Sequence, residues 1–204
     1  SCAFCQVDKG RAPEAVNPEE GERVAEAVLR MGLRYVVLTA VARDDLEDHG
    51  ASLFTNAMAA IRARNPLIAI EVLTPDFWGG VADPAKALQA QRQRLASVLK
   101  AQPVCFNHNL ETVKRLQGEV RRGATYTRSL GLLAAARDLA PSIPTKSGLM
   151  LGLGESKEVA VPGASHCPRL GQRPSSKIAL SPFCMTRVCT CSIAEALPMG
   201  RLNH

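Results

Sequence analysis

Two cysteines three positions apart, Cys2 and Cys5 in SCAFC, stand at the head of the sequence. A C-x2-C pair puts two soft thiolate donors on one short turn, the spacing of zinc knuckles, thioredoxin-like redox pairs and iron–sulfur sites. The redox chemistry requires the first cysteine at a helix N-terminus. Here Gly10-Arg11-Ala12-Pro13 follows, which reads as a loop. Zinc requires four ligands, and no second pair of matching spacing occurs before Cys184, Cys189 and Cys191. Those three read as unpaired thiols in an irregular segment, and Cys105 as a small core hydrophobe. From spacing alone, zinc and iron–sulfur both stand.

Other groups capable of chemistry come in short runs: Arg43-Asp44-Asp45, Asn107-His108-Asn109 with Glu111, Lys146, and Glu155 behind Gly152 and Gly154. Each also has an ordinary reading. Asp and Asn cap helices and close Asx turns, a single His is commonly satisfied within the fold, and a Lys can end a strand at the surface. Gly-x-Gly lets backbone approach a ligand but is weak by itself.

The elements that must position these groups are legible in the apolar pattern. Strands are expected over Arg34 to Ala40, Leu67 to Thr74, Pro103 to Phe106 and Thr145 to Gly152. Helices are expected after Asn17 as cap with Pro18 as first residue, from Ser52 to Arg64, around Asp83 to Lys100, and from Tyr126 to Leu139. Strand starts near 34, 67, 103 and 145 leave room for one helix between each pair. Continuous apolar strands fit a parallel sheet covered on both faces. The expectation is an α/β fold of βα repeats, whose reactive residues lie after the carboxyl ends of the strands. The segments at 41–50, 74–80, 107–112 and 153–155 occupy those positions, and all are polar.

Composition narrows the function classes. With 46% apolar and 22% charged residues the chain is globular. Its net charge of +6 is uneven, since Ser156 onward carries six basic residues against Glu158 and Glu195 and supplies four of the six charges. The preceding 155 residues are nearly balanced and aromatics are 4%, so no nucleic-acid partner is expected. No run of eighteen apolar residues occurs, so no membrane partner is expected either. Seven scattered cysteines do not form a secreted disulfide framework. From 156 to 204 five prolines and four cysteines interrupt any period, which marks an irregular tail distinct from 1–155.

Taken together, SCAFC, VVLTAVARDDL, IEVLTPDF, FNHNLETV and IPTKSGLMLGLGE, in this order and at these separations, resemble the lipoyl synthases of the radical S-adenosylmethionine (SAM) superfamily. The resemblance covers Ser1 to about Glu155. It implies a partial parallel βα barrel of the radical SAM type, lacking its first strand and its last. It implies a 4Fe-4S cluster with Cys2 and Cys5 as metal ligands, matching the second and third cysteines of C-x3-C-x2-C, and an open iron site for SAM. Phe4 matches an aromatic position near the adenine. Arg43, Asp44, Asn107, Asn109, Glu111 and Lys146 are placed around SAM or the acyl chain by position. Ala40 stands where the family commonly has serine.

The implied activity is insertion of two sulfur atoms at C6 and C8 of an octanoyl chain, through a SAM-derived radical and a second, sacrificed 4Fe-4S cluster. The implied partners are an octanoylated lipoyl-carrier protein domain and an electron donor such as flavodoxin or ferredoxin. The compartment would be cytoplasmic in a bacterium, or a mitochondrial or plastid matrix in a eukaryote. The sequence departs from the pattern in three places. The first cluster cysteine would lie four residues before Cys2, the ligands of the second cluster are not recognisable, and the pattern stops after Glu155. The expectation is therefore a chain incomplete and inactive alone. A non-catalytic remnant that binds SAM or a carrier domain, and a zinc-binding adaptor using Cys2, Cys5 and tail cysteines, are the rival readings.

Overall fold

Strand register decides which side chains can meet, and in this protein it sorts them sharply. The computed structural model describes residues 2–5, 15–155 and 187–193. Four strands run parallel in chain order, β1 (Tyr35–Thr39), β2 (Ala69–Leu73), β3 (Cys105–Asn107) and β4 (Thr145–Leu151). A fifth, β5 (Arg187–Ile193), pairs antiparallel with β4. Helices α1 (Glu20–Arg30), α2 (Ala51–Arg64), α3 (Pro84–Lys100) and α5 (Tyr126–Leu139) precede or connect the parallel strands. A 3-10 turn at Lys114–Leu116 and the short α4 (Gln117–Val120) lie between β3 and α5. This is an open α/β sheet, as a partial βα barrel requires.

Neighbouring strands align Val36 with Ile70, and Leu38 with Val72, Phe106 and Thr145. Ile70, Val72 and Phe106 are fully buried, in one cluster with Met58 of α2, Leu95 and Val98 of α3 and Leu132 of α5. Helix α2 packs on α1 and α3, and α3 on α5, so the helices form one continuous layer on this face. The opposite face is not covered as expected: Tyr35 and Val37 are 49% and 45% exposed. Side chains alternate across a strand, and among the described residues the helices take one side only. Tyr35, Val37, Glu71, Cys105, Asn107 and Lys146 consequently share the uncovered side.

Local signals account for most element limits. Asp83 caps α3, its carboxylate accepting from Lys86 N–H at 2.9 Å, with Pro84 in the first turn. Thr125 does the same for α5 through Arg128 N–H. Asn17 does not cap α1. Its amide oxygen accepts from Glu19 N–H at 2.9 Å, an Asx turn, and the helix starts at Glu20. Within the tail expected to be irregular, residues 187–193 form β5, paired antiparallel along Thr145–Leu151. The loop at 10–13 and the tail at 156–186 and 194–204, with Cys167 and Cys184, lie outside the described residues.

Candidate functional site

The site grows from β3 and the loop behind it. At Asn107 the strand ends, and the next residues are pinned from several sides. His108 is buried, its Nδ1 lying 2.9 Å from Thr74 O and its Nε2 2.9 Å from Ser129 Oγ. The carbonyl accepts from Nδ1–H, so Nε2 is the acceptor. Ser129 also receives Arg121 Nη1–H at 2.6 Å, and Arg121 Nη2 lies 3.3 Å from His108 Nε2. Burial and the neighbouring Arg121 charge push the His108 pKa down to about 4. This His is neutral and structural, in line with its ordinary reading.

Glu111 follows with a left-handed φ of 64°, a costly conformation for a non-glycine residue. Both of its backbone groups bond to β4, its N–H to Gly148 O at 3.0 Å and its C=O to Met150 N–H at 2.8 Å. Asn109 Oδ1 accepts from Gly148 N–H at 2.9 Å. Gln117 Nε2 donates to Leu110 O and Thr112 O. Burial raises the Glu111 carboxyl above its usual range, opposed by the Asn109 hydrogen bond and the Arg121 charge. Asn109, Glu111 and Gly148 thus form one unit just past the carboxyl end of β3, alongside the middle of β4.

Cys2 reaches the same end. It bridges Arg121 in antiparallel fashion, and Ala3 N–H donates to Val120 O at 2.8 Å. Cys5 N–H donates to Cys2 O at 3.2 Å, which sets both cysteines on a single turn. Burial raises the Cys2 thiol, with Arg121 opposing and Glu111 adding to the rise. Phe4, in the same turn, is 40% exposed. Among the described residues no three His, Cys, Asp or Glu side chains are arranged to hold a metal.

A second cluster lies on the uncovered face. Glu71 is 2% exposed and accepts from Tyr35 Oη at 2.5 Å, Asn107 Nδ2 at 3.0 Å and Lys146 Nζ at 3.1 Å. Asn107 and Lys146 are therefore brought together. Cys105 joins this face rather than the core, and burial followed by the Glu71 charge pushes its thiol up to about 11. The Tyr35 hydroxyl is raised above its usual range by burial and by its bond to Glu71.

Arg43 and Asp44 are engaged within their own loop. Arg43 makes a bidentate pair with Asp45 at 2.8 and 2.7 Å, and Asp44 Oδ1 lies 3.3 Å from Nδ1 of the buried His49. At the other end, burial would raise the Glu155 carboxyl, but N–H groups of Gly152 and Leu153 outweigh it and hold it low.

Reading the sequence missed Glu71, Tyr35 and Arg121. A single acid inside the apolar IEVL run was the available signal for Glu71, whereas Tyr35 and Arg121 acquire their roles only through tertiary contacts.

Compared with known proteins, residues 1–160 match the Radical SAM superfamily. The chain is 72% identical over 184 residues to Lipoyl synthase 2 of Parasynechococcus marenigrum (strain WH8102), covering 86% of this chain and 62% of that protein. It is 76% identical over 161 residues to Lipoyl synthase 2 of Prochlorococcus marinus (strain MIT 9313), covering 79% and 53%. Lipoyl synthase 2 of Nostoc sp. (strain PCC 7120 / SAG 25.82 / UTEX 2576) is 58% identical over 170 residues, covering 83% and 56%. The chain spans 53% to 62% of the length of these relatives.

Proposed function

This chain belongs to the radical SAM superfamily, and from that premise we propose that it carries the core of a lipoyl synthase, the enzyme that inserts sulfur at C6 and C8 of a protein-bound octanoyl chain. The observation that carries the proposal is the docking of the Cys2–Cys5 turn onto Arg121, because it brings two soft donors to the carboxyl ends of the parallel strands, where such folds do chemistry.

The donors fit two thiolate positions of a 4Fe-4S cluster: both belong to one turn and both are half-exposed. Cys2 and Cys5 would hold the cluster, which when bound supplies the electron that splits SAM into methionine and an adenosyl radical. The protein's own residues orient and exclude. Asn107 and Lys146 lie on the uncovered side of the sheet, Asn109 and Glu111 stand just past the end of β3, and Phe4, Arg43 and Asp44 would add contacts to SAM or the acyl chain. His108, neutral, holds the β3 loop against α5 and takes no proton in turnover. An octanoylated lipoyl-carrier domain is the substrate-bearing partner, a flavodoxin or ferredoxin the electron donor, and a bacterial cytoplasm the setting.

Anaerobic reconstitution of the 204-residue chain with iron and sulfide tests this reading. Iron uptake that falls in Cys2→Ser and Cys5→Ser, with an electron paramagnetic resonance signal altered by SAM, is the expected outcome for a bound cluster. Stoichiometric zinc without iron would support the adaptor instead. The two thiolates of this polypeptide alone are expected not to sustain sulfur insertion, and lipoylated product from the purified chain would overturn that expectation.

A further inference from the structure

The uncovered face of the sheet contains a buried carboxylate for which the proposed chemistry has no stated use. Glu71 sits mid-strand in β2, and its two oxygens are shared among three donors from three other strands: Tyr35 of β1, Asn107 of β3 and Lys146 of β4. A buried carboxylate is stable only when its lone pairs are satisfied, and here they are. Two groups around it are not fully used. Asn107 gives its Nδ2–H to Glu71, which turns Oδ1 away; that oxygen is buried and has no hydrogen-bond partner, in a residue 5% exposed. Lys146 Nζ carries three hydrogens and directs itself to the two Glu71 oxygens at 3.1 and 3.5 Å, so at least one hydrogen is left over.

We propose that Glu71 is a positioning residue that fixes the Lys146 ammonium and the Asn107 amide on the uncovered face as a donor and acceptor pair for a small ligand carrying both an anionic or hydroxyl oxygen and an N–H or O–H donor. Tyr35 caps the opposite side of the carboxylate and limits its rotation. SAM has both kinds of group, and identifying the ligand as SAM rests on the function proposed above.

Several features favour a ligand over simple stability. The cluster lies outside the apolar helix-covered core. An orphaned buried acceptor costs free energy when nothing fills it. The ion pair is also incompletely covered, with the Lys146 side chain 22% exposed, so an approaching group can reach it. Removing Glu71 would not delete a ligand contact. It would free Lys146 and Asn107 to adopt other rotamers, so its effect on binding passes through them.

The test is a double-mutant cycle read by calorimetric titration of the 204-residue chain with S-adenosylhomocysteine, a probe that binds without being cleaved. Glu71→Gln keeps the shape and is expected to weaken binding about tenfold, while in a Lys146→Met background it weakens binding less than about twofold. Tyr35→Phe, at a half-exposed position that does not threaten folding, is expected to weaken binding about two- to threefold in the parent and not at all beside Lys146→Met. Additive losses, or unchanged affinity in both Glu71→Gln and Tyr35→Phe, overturn the positioning role while leaving the proposed function intact. Absence of binding by the parent chain overturns the ligand assignment on this face and the site reading beneath it. As an independent signature, ultraviolet titration of Glu71→Gln is expected to show the Tyr35 hydroxyl ionising closer to its ordinary range; an unchanged titration contradicts the contact.

Discussion

Val36 and Val37 are adjacent and chemically identical, yet they inhabit different parts of the molecule. Val36 packs against the cluster that contains Ile70, Leu132 and the helices, while Val37 is 45% exposed on the side it shares with Glu71 and Cys105. The same division separates Val72 from Glu71, and Phe106 from Cys105 and Asn107. One face is closed by apolar packing of Ile70, Val72 and Phe106 under the helices. The other is organised by hydrogen bonds to a single carboxylate and leaves the buried Asn107 Oδ1 without a partner. A two-residue period thus separates what holds the fold from what faces the chemistry.

The largest break in this contrast is Phe106→Ala, which empties the centre of the helix-covered face. It is expected to destabilise by about 3–5 kcal/mol in urea unfolding, and a loss under about 1 kcal/mol would mean that this face is not the core. Gly148→Ala comes next. Its methyl would stand 2.8 Å from Asn109 Oδ1, and a loss of about 1–3 kcal/mol is expected from the forced shift. A normal stability for that variant would show the Asn109 contact to be loose.

The His108 prediction concerns pH. Its folded pKa of about 4 lies below the ordinary value near 6.5, so the unfolded chain binds the proton more readily. Stability from neutral His108 is full above about pH 6.5 and falls as pH drops toward 4. Urea midpoints measured across that window should show a decline that His108→Gln lacks; identical slopes in both proteins contradict the buried neutral imidazole. The smallest effect belongs to Val37→Thr on the uncovered face, expected within about 0.5 kcal/mol of the parent. A loss comparable with that of Phe106→Ala would show the two faces to be equivalent.

Much of the scaffold could be read from the chain because it rests on local rules. Pro84 behind Asp83 announces α3, and Tyr126 to Leu139 agrees with α5 residue for residue. Asn17 misled because an Asx turn and a helix cap use the same side-chain oxygen, and only the backbone distinguishes them. Cys105 looks like a core residue in the sequence because a strand of three residues is too short to reveal which side each residue takes. The site was half legible. Asn107, Asn109 and Glu111 stand at or just past the carboxyl end of β3, where topology concentrates function, whereas Lys146, second in β4 and paired in register with Asn107, and Glu71 lie inside strands. The importance of Glu71 depends on the register that lines it up with Val37 and Cys105, and register is a property of pairs of strands rather than of either one.

The stitching of Glu111 to β4 bears on the order in which the protein is made. Asn109 and Glu111 are synthesised with β3, but the partners that hold them, Gly148 and Met150, come some forty residues later. The parallel pairing of β1 with β2 and of β2 with β3 needs nothing from β4. A chain emerging from the ribosome can therefore lay down most of its sheet while this part of the site is still unformed, and the left-handed turn at Glu111 gains its partners only when β4 docks. Completion of this part of the site thereby reports completion of the parallel part of the sheet.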